Sequence, residues 1–545
     1  MLYILSRCRQ QTMGSNRAQR VSDRRTLPLG TGEDYSMNLS NWVERQAGFV
    51  PDKCAIRFAA RDLTYAEVAR KVNQLADSLT NQLGVTHGDR VTYLGLNCPE
   101  VIILLFACAR IGAVLAPLNW RLAAPEHAYM LEQSEPRALF VTPEFIEHVE
   151  GLGPATESVA LVTLGKPGDG WLSFDALLAQ GSESFQGGAA THADDPVLLC
   201  YTSGTTGRPK GALLSNNAFT WNAVNSTHMH DLTSEDVVLT MLPMFHVGGL
   251  NIQTLPALHA GATVIIHDRF EIDAFFDALE QDGVTLTLLV PTVVHAVTSD
   301  PRWETADLSK LRMIGVGSTV VPEQMVRAVG ARGVPLVQIY GSTETAPIAA
   351  YMPYRETTRR PESTGIPAMH CEIRLVDEDG RDVPQGEKGE ILVRGPNVML
   401  EYWRDPIATR EAFTDGWFHT GDVAHCDSDG FLYVDGRIKD MIISGGENVY
   451  PAAVEHVLNE CADLKEVAVV GRPDDHWGEV VVAVVVPQDA NCDADKIIGF
   501  CEGRIASFET PREVIFVDQL PRNAMGKIEK EVLRERVLQM AVLTS

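Results

Sequence analysis

Residues 201–211, YTSGTTGRPKG, concentrate hydroxyls, glycines and two cations in one short stretch. That mixture suits a phosphate. Gly204, Gly207 and Gly211 reach backbone conformations that other residues resist, so amide N–H groups can converge on an anion. Ser203, Thr205 and Thr206 add hydroxyl donors, and Arg208 and Lys210 add positive charge. The apolar run PVLLCY before them reads as a buried strand ending where the ligand would sit. The spacing excludes a Walker A loop, because Arg-Pro intervenes before Lys210 and Pro209 opposes a helix start. Taken alone, the stretch could still be a Gly/Thr-rich surface turn.

Five further stretches carry chemistry-bearing residues. PMFHVGG (243–249) ends an apolar run with His246 beside two glycines. YGSTET (340–345) sets an aromatic before a glycine, hydroxyls and the carboxylate of Glu344. WFHTGD (417–422) places Asp422 after a glycine turn. GRIKDMIISGGENVYP (436–451) holds Arg437, Lys439, Gly445 and Gly446. PRNAMGK (521–527) leaves Lys527 near the C-terminus. Each has a plain structural alternative: a buried core histidine or tyrosine, a helix-cap glutamate, a turn aspartate, a solvated lysine.

The elements that must position them follow from the pattern. Up to about residue 164, DRVTYLGL, AVLAPL and RALFVT read as strands, and CPEVIILLFACARIG and APEHAYMLEQS as helices, giving α/β organisation with buried parallel strands. The rhythm resumes after a Gly/Ser/Ala-rich linker in ATVIIH, FDALEQDGV, LTLLVP and LRMIGVG. From Glu372 the texture changes to short strands and turns, which predicts a β-rich subdomain. Beyond GRIKD, the helices PAAVEHVLNE, KIIGFCEGRI and KEVLRERVLQM and a hairpin-like pair predict a separate lobe. The expected class is α/β: a large N-terminal α/β domain with a β-rich subdomain, plus a small α+β C-terminal lobe. The domains run 1–36, 37–436 and 437–545.

At 545 residues the chain suits several domains. Its net charge of −26 argues against nucleic acid and anionic membranes as partners, and makes any polyphosphate site an electropositive island on an acidic body. Ten cysteines without a CxxC or a His/Cys cluster argue against structural zinc and a disulfide framework, and fit a reducing cytoplasm. Arg110 and Gly112 interrupt the longest apolar run, so it reads as helix then strand rather than a membrane span. The Arg-rich, acid-poor residues 1–36 read as a disordered extension. A mitochondrial transit peptide is the alternative.

Together and in this order, the six stretches resemble the acyl-adenylating superfamily, and among its members the medium- and long-chain fatty acyl-CoA synthetases, which are AMP-forming acid–thiol ligases. The resemblance spans Trp42 to Arg536. It implies attack of a carboxylate on the α-phosphate of ATP, then transfer of the acyl group to a thiol. It implies that Thr202, Ser203, Gly204, Thr205, Thr206, Gly207 and Lys210 hold the departing phosphates. Glu344 would bind Mg2+, with Thr343 on the AMP phosphate. Tyr340 would lie against adenine, with Gly317 and Ser318 opposite, and Asp422 and Arg437 would reach the ribose. Lys527 would bridge the carboxylate and the α-phosphate. Lys439 stands at the family's hinge position, about which a mobile lobe would turn to bring Gly445 and Gly446 to the thiol tunnel. His246 would sit between that tunnel and the acyl pocket.

The implied co-substrates are ATP, CoA and a small carboxylic acid, with Mg2+. A stand-alone adenylation enzyme loading a carrier protein and an inactive acyl-nucleotide-binding homologue are the alternatives. A homodimer is left open. In the acyl pocket, Gly341 predicts a floor open beyond acetate or propionate, and Ile339 a pocket narrowed against bulky or very long acids. The expectation is a medium-chain or substituted monocarboxylic acid.

Overall fold

A computed structural model of the chain describes residues 38–185, 191–202, 209–318, 321–445, 447–474, 477–489, 492–523 and 526–544, the side chains of 541–544 aside. Residues 1–36, Ser203, Gly204, Thr205, Thr206, Gly207, Arg208 and Gly446 lie outside the described residues.

Two large sheets build the body. Short, mostly apolar runs become parallel strands, as expected where helices cover both faces of a sheet. Arg90–Leu94, Val114–Leu118, Ala138–Val141 and Ala160–Thr163 pair in parallel, and Pro196–Thr202 joins beside Val114–Leu118. Lys210–Ser215 returns antiparallel to Pro196–Thr202, setting Lys210 opposite Thr202. The second sheet runs Cys54–Phe58, Thr263–Ile266, Val237–Thr240, Leu286–Leu289, Met313–Gly317 and Leu336–Tyr340 in parallel. One apolar core joins strands of both sheets to the helices between them. The run that begins CPEVIILLF forms the helix Pro99–Ile111, buried on nearly every side. Pro99 tolerates the first turn, and Gly112 at φ +71° ends the helix where a side chain would be strained.

The texture change after residue 371 is a five-stranded antiparallel sheet that includes Glu372–Val376, Gly389–Arg394, Trp417–Cys426 and Leu432–Arg437. A 3-10 turn, Ile438–Asp440, leads out of it. Beyond that turn a second five-stranded sheet is centred on the long hairpin Leu464–Asp474 and Gly478–Pro487. Helices Pro451–Leu458, Ala494–Cys501 and Lys530–Thr544 accompany it. Its two apolar clusters contain only residues from Ile442 onward, so this lobe has a core of its own. The helix expected over KIIGFCEGRI stops at Cys501. Gly503 at φ +74° turns the chain there, which the apolar spacing alone did not reveal.

The Met313–Gly317 and Leu336–Tyr340 strands end side by side, and their C-terminal ends deliver Gly317 and Tyr340 to one edge of the body. Ligands of open parallel sheets bind beyond such ends.

Candidate active site

Asp422 and Arg437 stand opposite each other on paired strands of the β-rich sheet. The Asp422 carboxylate accepts from Arg437 Nε at 2.7 Å through Oδ1 and from the Tyr340 hydroxyl at 2.8 Å through Oδ2. Asp422 is only 8% exposed. Burial raises its pKa, while Arg437, the Tyr340 hydroxyl and Lys527 pull it back down. Three of the expected nucleotide-binding residues, far apart in sequence, therefore form one hydrogen-bonded group at the end of the Leu336–Tyr340 strand.

Glu344 and Thr343 lie on the next turn, Thr343–Thr345. Thr343 is buried. Nearby, the buried Cys200 thiol, whose pKa burial raises to about 12, donates to the Phe245 carbonyl at 3.6 Å. Glu344 Oε1 accepts from the Tyr402 hydroxyl at 2.7 Å. The ammonium of Lys210 lies 5.3 Å from the centre of the Tyr402 ring. Tyr402 thus ties the phosphate-loop strand to the candidate metal ligand. The Thr202 hydroxyl donates to the Lys210 carbonyl at 3.3 Å. That bond closes the hairpin end from which the phosphate loop departs.

Lys527 rides on a tight turn. Its N–H donates to Asn523 Oδ1 at 3.0 Å, its carbonyl accepts from Asn523 N–H at 2.8 Å, and Gly526 has φ +78°. The residue is exposed overall, yet its ammonium is crowded by protein and lies near Arg437, Asp422 and Glu344. Exposure of the stem and crowding of the tip are compatible when a long side chain reaches into a cleft. That crowding, followed by repulsion from Arg437, lowers the Lys527 pKa, and Asp422 and Glu344 oppose the shift. His246 precedes the short helix Val247–Asn251, with its ring 5.3 Å from that of Phe245. Burial, then the charges of Lys527 and Arg121, push His246 down to about 3, so its imidazole is neutral at physiological pH.

The pocket residues depart from expectation at one point. A methyl group on Gly341 would lie 1.6 Å from the Pro347 carbonyl oxygen. This glycine therefore admits a close backbone neighbour and leaves no open floor at its own position. Ile339 is buried in the main apolar core. A methyl group at Gly317 would meet the Ile339 carbonyl at 2.7 Å, so that strand end stays flat. Ser318 is exposed at φ +82°.

Gly445 and Lys439 stand apart from this cluster. Gly445 is exposed on the lobe, donates to the Trp477 carbonyl at 2.8 Å, and adopts φ +64°. Lys439 lies in the turn between the two sheets, 3.8 Å from Glu531 of the last helix. Sequence reasoning missed Tyr402, in EYWRD, and Arg121, in NWRL. An aromatic and a cation in polar loop sequence were the available signals, and neither has a fixed spacing from the residue it serves.

Two family models match the chain. The AMP-binding enzyme model covers residues 43–403, and the AMP-binding enzyme C-terminal domain covers 453–527. An indoleacetate–CoA ligase of Aromatoleum aromaticum is 54% identical over 92% of this chain and 98% of that protein. A feruloyl-CoA synthase of an Amycolatopsis species is 43% identical over 92% of this chain and 99% of its own. Among solved structures, ATP-bound MatB from Rhodopseudomonas palustris aligns with TM-score 0.84 at 34% identity, covering 92% of this chain and 99% of its own. The apo form of MatB aligns with TM-score 0.76 at 33% identity, covering 93% and 99%. The cluster around Asp422 and Lys527 is thus set in a fold and a sequence shared along nearly the whole length of CoA ligases. The chain belongs to the AMP-binding enzyme family and is an AMP-forming acid–thiol ligase.

Proposed function

We propose that the protein activates an aromatic monocarboxylic acid, of the arylacetic or arylpropenoic class, as its acyl-adenylate and transfers the acyl group to CoA. The observation that carries the adenylation step is the placement of the Lys527 ammonium near Asp422, Arg437 and Glu344. The greater likeness to ATP-bound than to apo MatB agrees with it. A carboxylate oxygen attacks the α-phosphorus of ATP, the bond to the β-phosphate oxygen breaks, and pyrophosphate leaves. Lys527 stabilises charge shared between the incoming carboxylate and the α-phosphate, a contribution larger in the transition state than in the ground state. Asp422, oriented by Arg437 and Tyr340, binds the ribose hydroxyls. Lys210 and the loop before it hold the leaving phosphates.

Glu344 suits Mg2+. No cluster of three or more His, Cys, Asp or Glu side chains that could hold a metal exists among the described residues. A single carboxylate is what Mg2+ takes alongside nucleotide phosphates and water. When bound there, Mg2+ supplies neutralising charge on the phosphates. Tyr402 fixes the Glu344 carboxylate for that task.

In the second step the thiol sulfur of CoA bonds to the acyl carbon and AMP leaves. We assign Lys439 as the hinge of a lobe comprising residues 437–545, whose rotation withdraws Lys527 and brings Gly445 to the acyl carbon. The separate apolar cores of the lobe support this. Its contacts with the body include His456–Glu362 at 2.7 Å and Lys388 against the Tyr450 ring at 4.7 Å. Neutral His246 lines the acyl pocket without adding a second cation beside Lys527.

The 54% and 43% identical relatives, named for indoleacetate and ferulate, support the aromatic acid. On this reading an aromatic acid takes the place of the medium-chain expectation. The test is pyrophosphate release with ATP and Mg2+ across indole-3-acetate, phenylacetate, ferulate, octanoate, palmitate and malonate, each with and without CoA. Sustained, CoA-dependent release that is fastest with an aromatic acid is expected. Fastest release with octanoate or malonate would overturn the acid class, and a single-turnover burst indifferent to CoA would transfer the acceptor role to a carrier protein.

A further inference from the structure

Gln253 is only 3% exposed, and its amide is committed on one side only. Its Nε2 donates to the Thr287 carbonyl at 3.2 Å and lies 3.1 Å from His230 Nε2. The state of His230 follows from its other nitrogen. The Ser226 hydroxyl donates to the Ile252 carbonyl at 2.6 Å, so His230 Nδ1, 2.9 Å from the Ser226 carbonyl, must carry the hydrogen and donate it there. In the neutral ring His230 Nε2 is then an acceptor, and it receives the second hydrogen of the Gln253 amide. Burial pushes the His230 pKa down to about 4, which keeps the ring neutral. A flipped amide would turn its oxygen toward two acceptors, so the orientation is forced. Gln253 Oε1 is left buried with no hydrogen-bond partner among the described residues.

Gln253 also borders a cavity. Gln253 lines a small cavity with Thr240, Leu242, Gly249 and Leu288, at the helix that follows His246. The same amide borders the pocket strands: a methyl group at Gly315 would lie 3.4 Å from Gln253 Nε2, 3.3 Å from Ile339 Cδ1 and 2.9 Å from Leu288 Cδ1. The cavity has room for about one water-sized group. That is the size of a polar ring edge and far smaller than a whole ring.

We propose that Gln253 is a specificity-determining residue whose Oε1 accepts a hydrogen bond from an N–H or O–H group on the aromatic ring of the acid. The inference rests on the aromatic-acid reading and deepens it: the acid's ring carries a donor at the end remote from the carboxylate. An acid of the same shape without that donor strands the buried oxygen. A site built to hydrogen-bond a group rejects the analogue lacking it more sharply than it rejects a change of size.

The test compares indole-3-acetate with 1-benzothiophene-3-acetate, in which sulfur replaces the N–H. Acyl-AMP formation is followed as pyrophosphate release by the full-length enzyme. The wild type is expected to favour the indole by roughly 10-fold or more in kcat/KM, carried mainly by KM for the acid. Gln253→Met keeps the volume and removes the acceptor, so the ratio should fall to near one while the benzothiophene acid is used at least as well as by the wild type. His230→Phe, which frees the amide to turn, should also lower the ratio, and it serves if the methionine variant does not fold. A wild-type ratio near one would overturn the proposal, because a water would then serve Oε1 for either acid. An unchanged ratio in Gln253→Met would overturn it too. If neither aromatic acid reacts while octanoate does, the aromatic-acid reading itself fails and this proposal falls with it. Turnover of both aromatic acids at equal rates sinks only the role of Gln253.

Discussion

Lys527 shows how a residue's chemistry depends on its surroundings. A lysine near a C-terminus is ordinarily solvated and charged well past neutrality. Here crowding, with Arg437 adding to it, lowers the pKa, and Asp422 and Glu344 only partly restore it. A lowered lysine pKa means the charge is present at low pH and lost as pH rises through the lowered value. Acyl-AMP formation should therefore have an alkaline limb below the ordinary lysine value, and Lys527→Arg should shift that limb upward or remove it. A limb at the same pH in the arginine variant would assign it to another group. Gly341 illustrates a steric constraint instead. With the Pro347 carbonyl oxygen 1.6 Å from where a Cβ would stand, Gly341→Ala forces the backbone apart. Overpacking of this kind costs about 3 kcal/mol or more. The apparent Tm should drop by several degrees, and a Tm within one degree of wild type would show that the turn relaxes freely.

At the scale of elements, the site depends on strands that meet from distant parts of the chain. Glu401–Tyr402 pairs with Lys210–Ser215 through Glu401 opposite Leu213 and Tyr402 opposite Ala212. That short pairing carries Tyr402 to Glu344 and under Lys210. A one-residue slip would turn the tyrosine to the other face. Groups that orient a metal ligand commonly matter nearly as much as the ligand. Tyr402→Phe should raise the Mg2+ needed for half-maximal adenylation roughly 10-fold. Tm should be little changed, since the ring remains. An unaltered Mg2+ dependence would mean that Glu344 is held well enough by its backbone. The same logic applies to Asp422 and Arg437, whose contact is set by the register of Trp417–Cys426 on Leu432–Arg437.

For the whole molecule, the question is how one site serves two reactions. The lobe has its own core and touches the body through polar and aromatic contacts such as His456–Glu362. Exposed ion pairs of that kind contribute about 0–1 kcal/mol, so this contact by itself holds the lobe weakly. If the lobe alternates between two placements, loss of Lys527 harms only the one in which it reaches the cleft. Lys527→Ala should slow acyl-AMP formation roughly 100- to 1,000-fold. Thioester formation from supplied acyl-AMP should stay within a few-fold of wild type. Equal losses in both half-reactions would contradict the two-placement account.

The sequence by itself determined the α/β body, the β-rich insertion and the separate lobe, because strand and helix periods and turn residues are local properties of the chain. It also pointed to the type of reaction, through the family resemblance that six short motifs carry together. Only the tertiary structure decided that Asp422 is shared by Tyr340 and Arg437, that Tyr402 links Lys210 to Glu344, and that Gly341 packs against Pro347 rather than opening a floor. It alone exposed the uncommitted oxygen of Gln253, which in GGLNIQTLPAL is one of three polar residues in an otherwise apolar stretch. The reason is physical. Whether a buried polar atom is satisfied, or a glycine is open, depends on groups tens to hundreds of residues away. No local pattern encodes that accounting until the fold has placed every donor and acceptor.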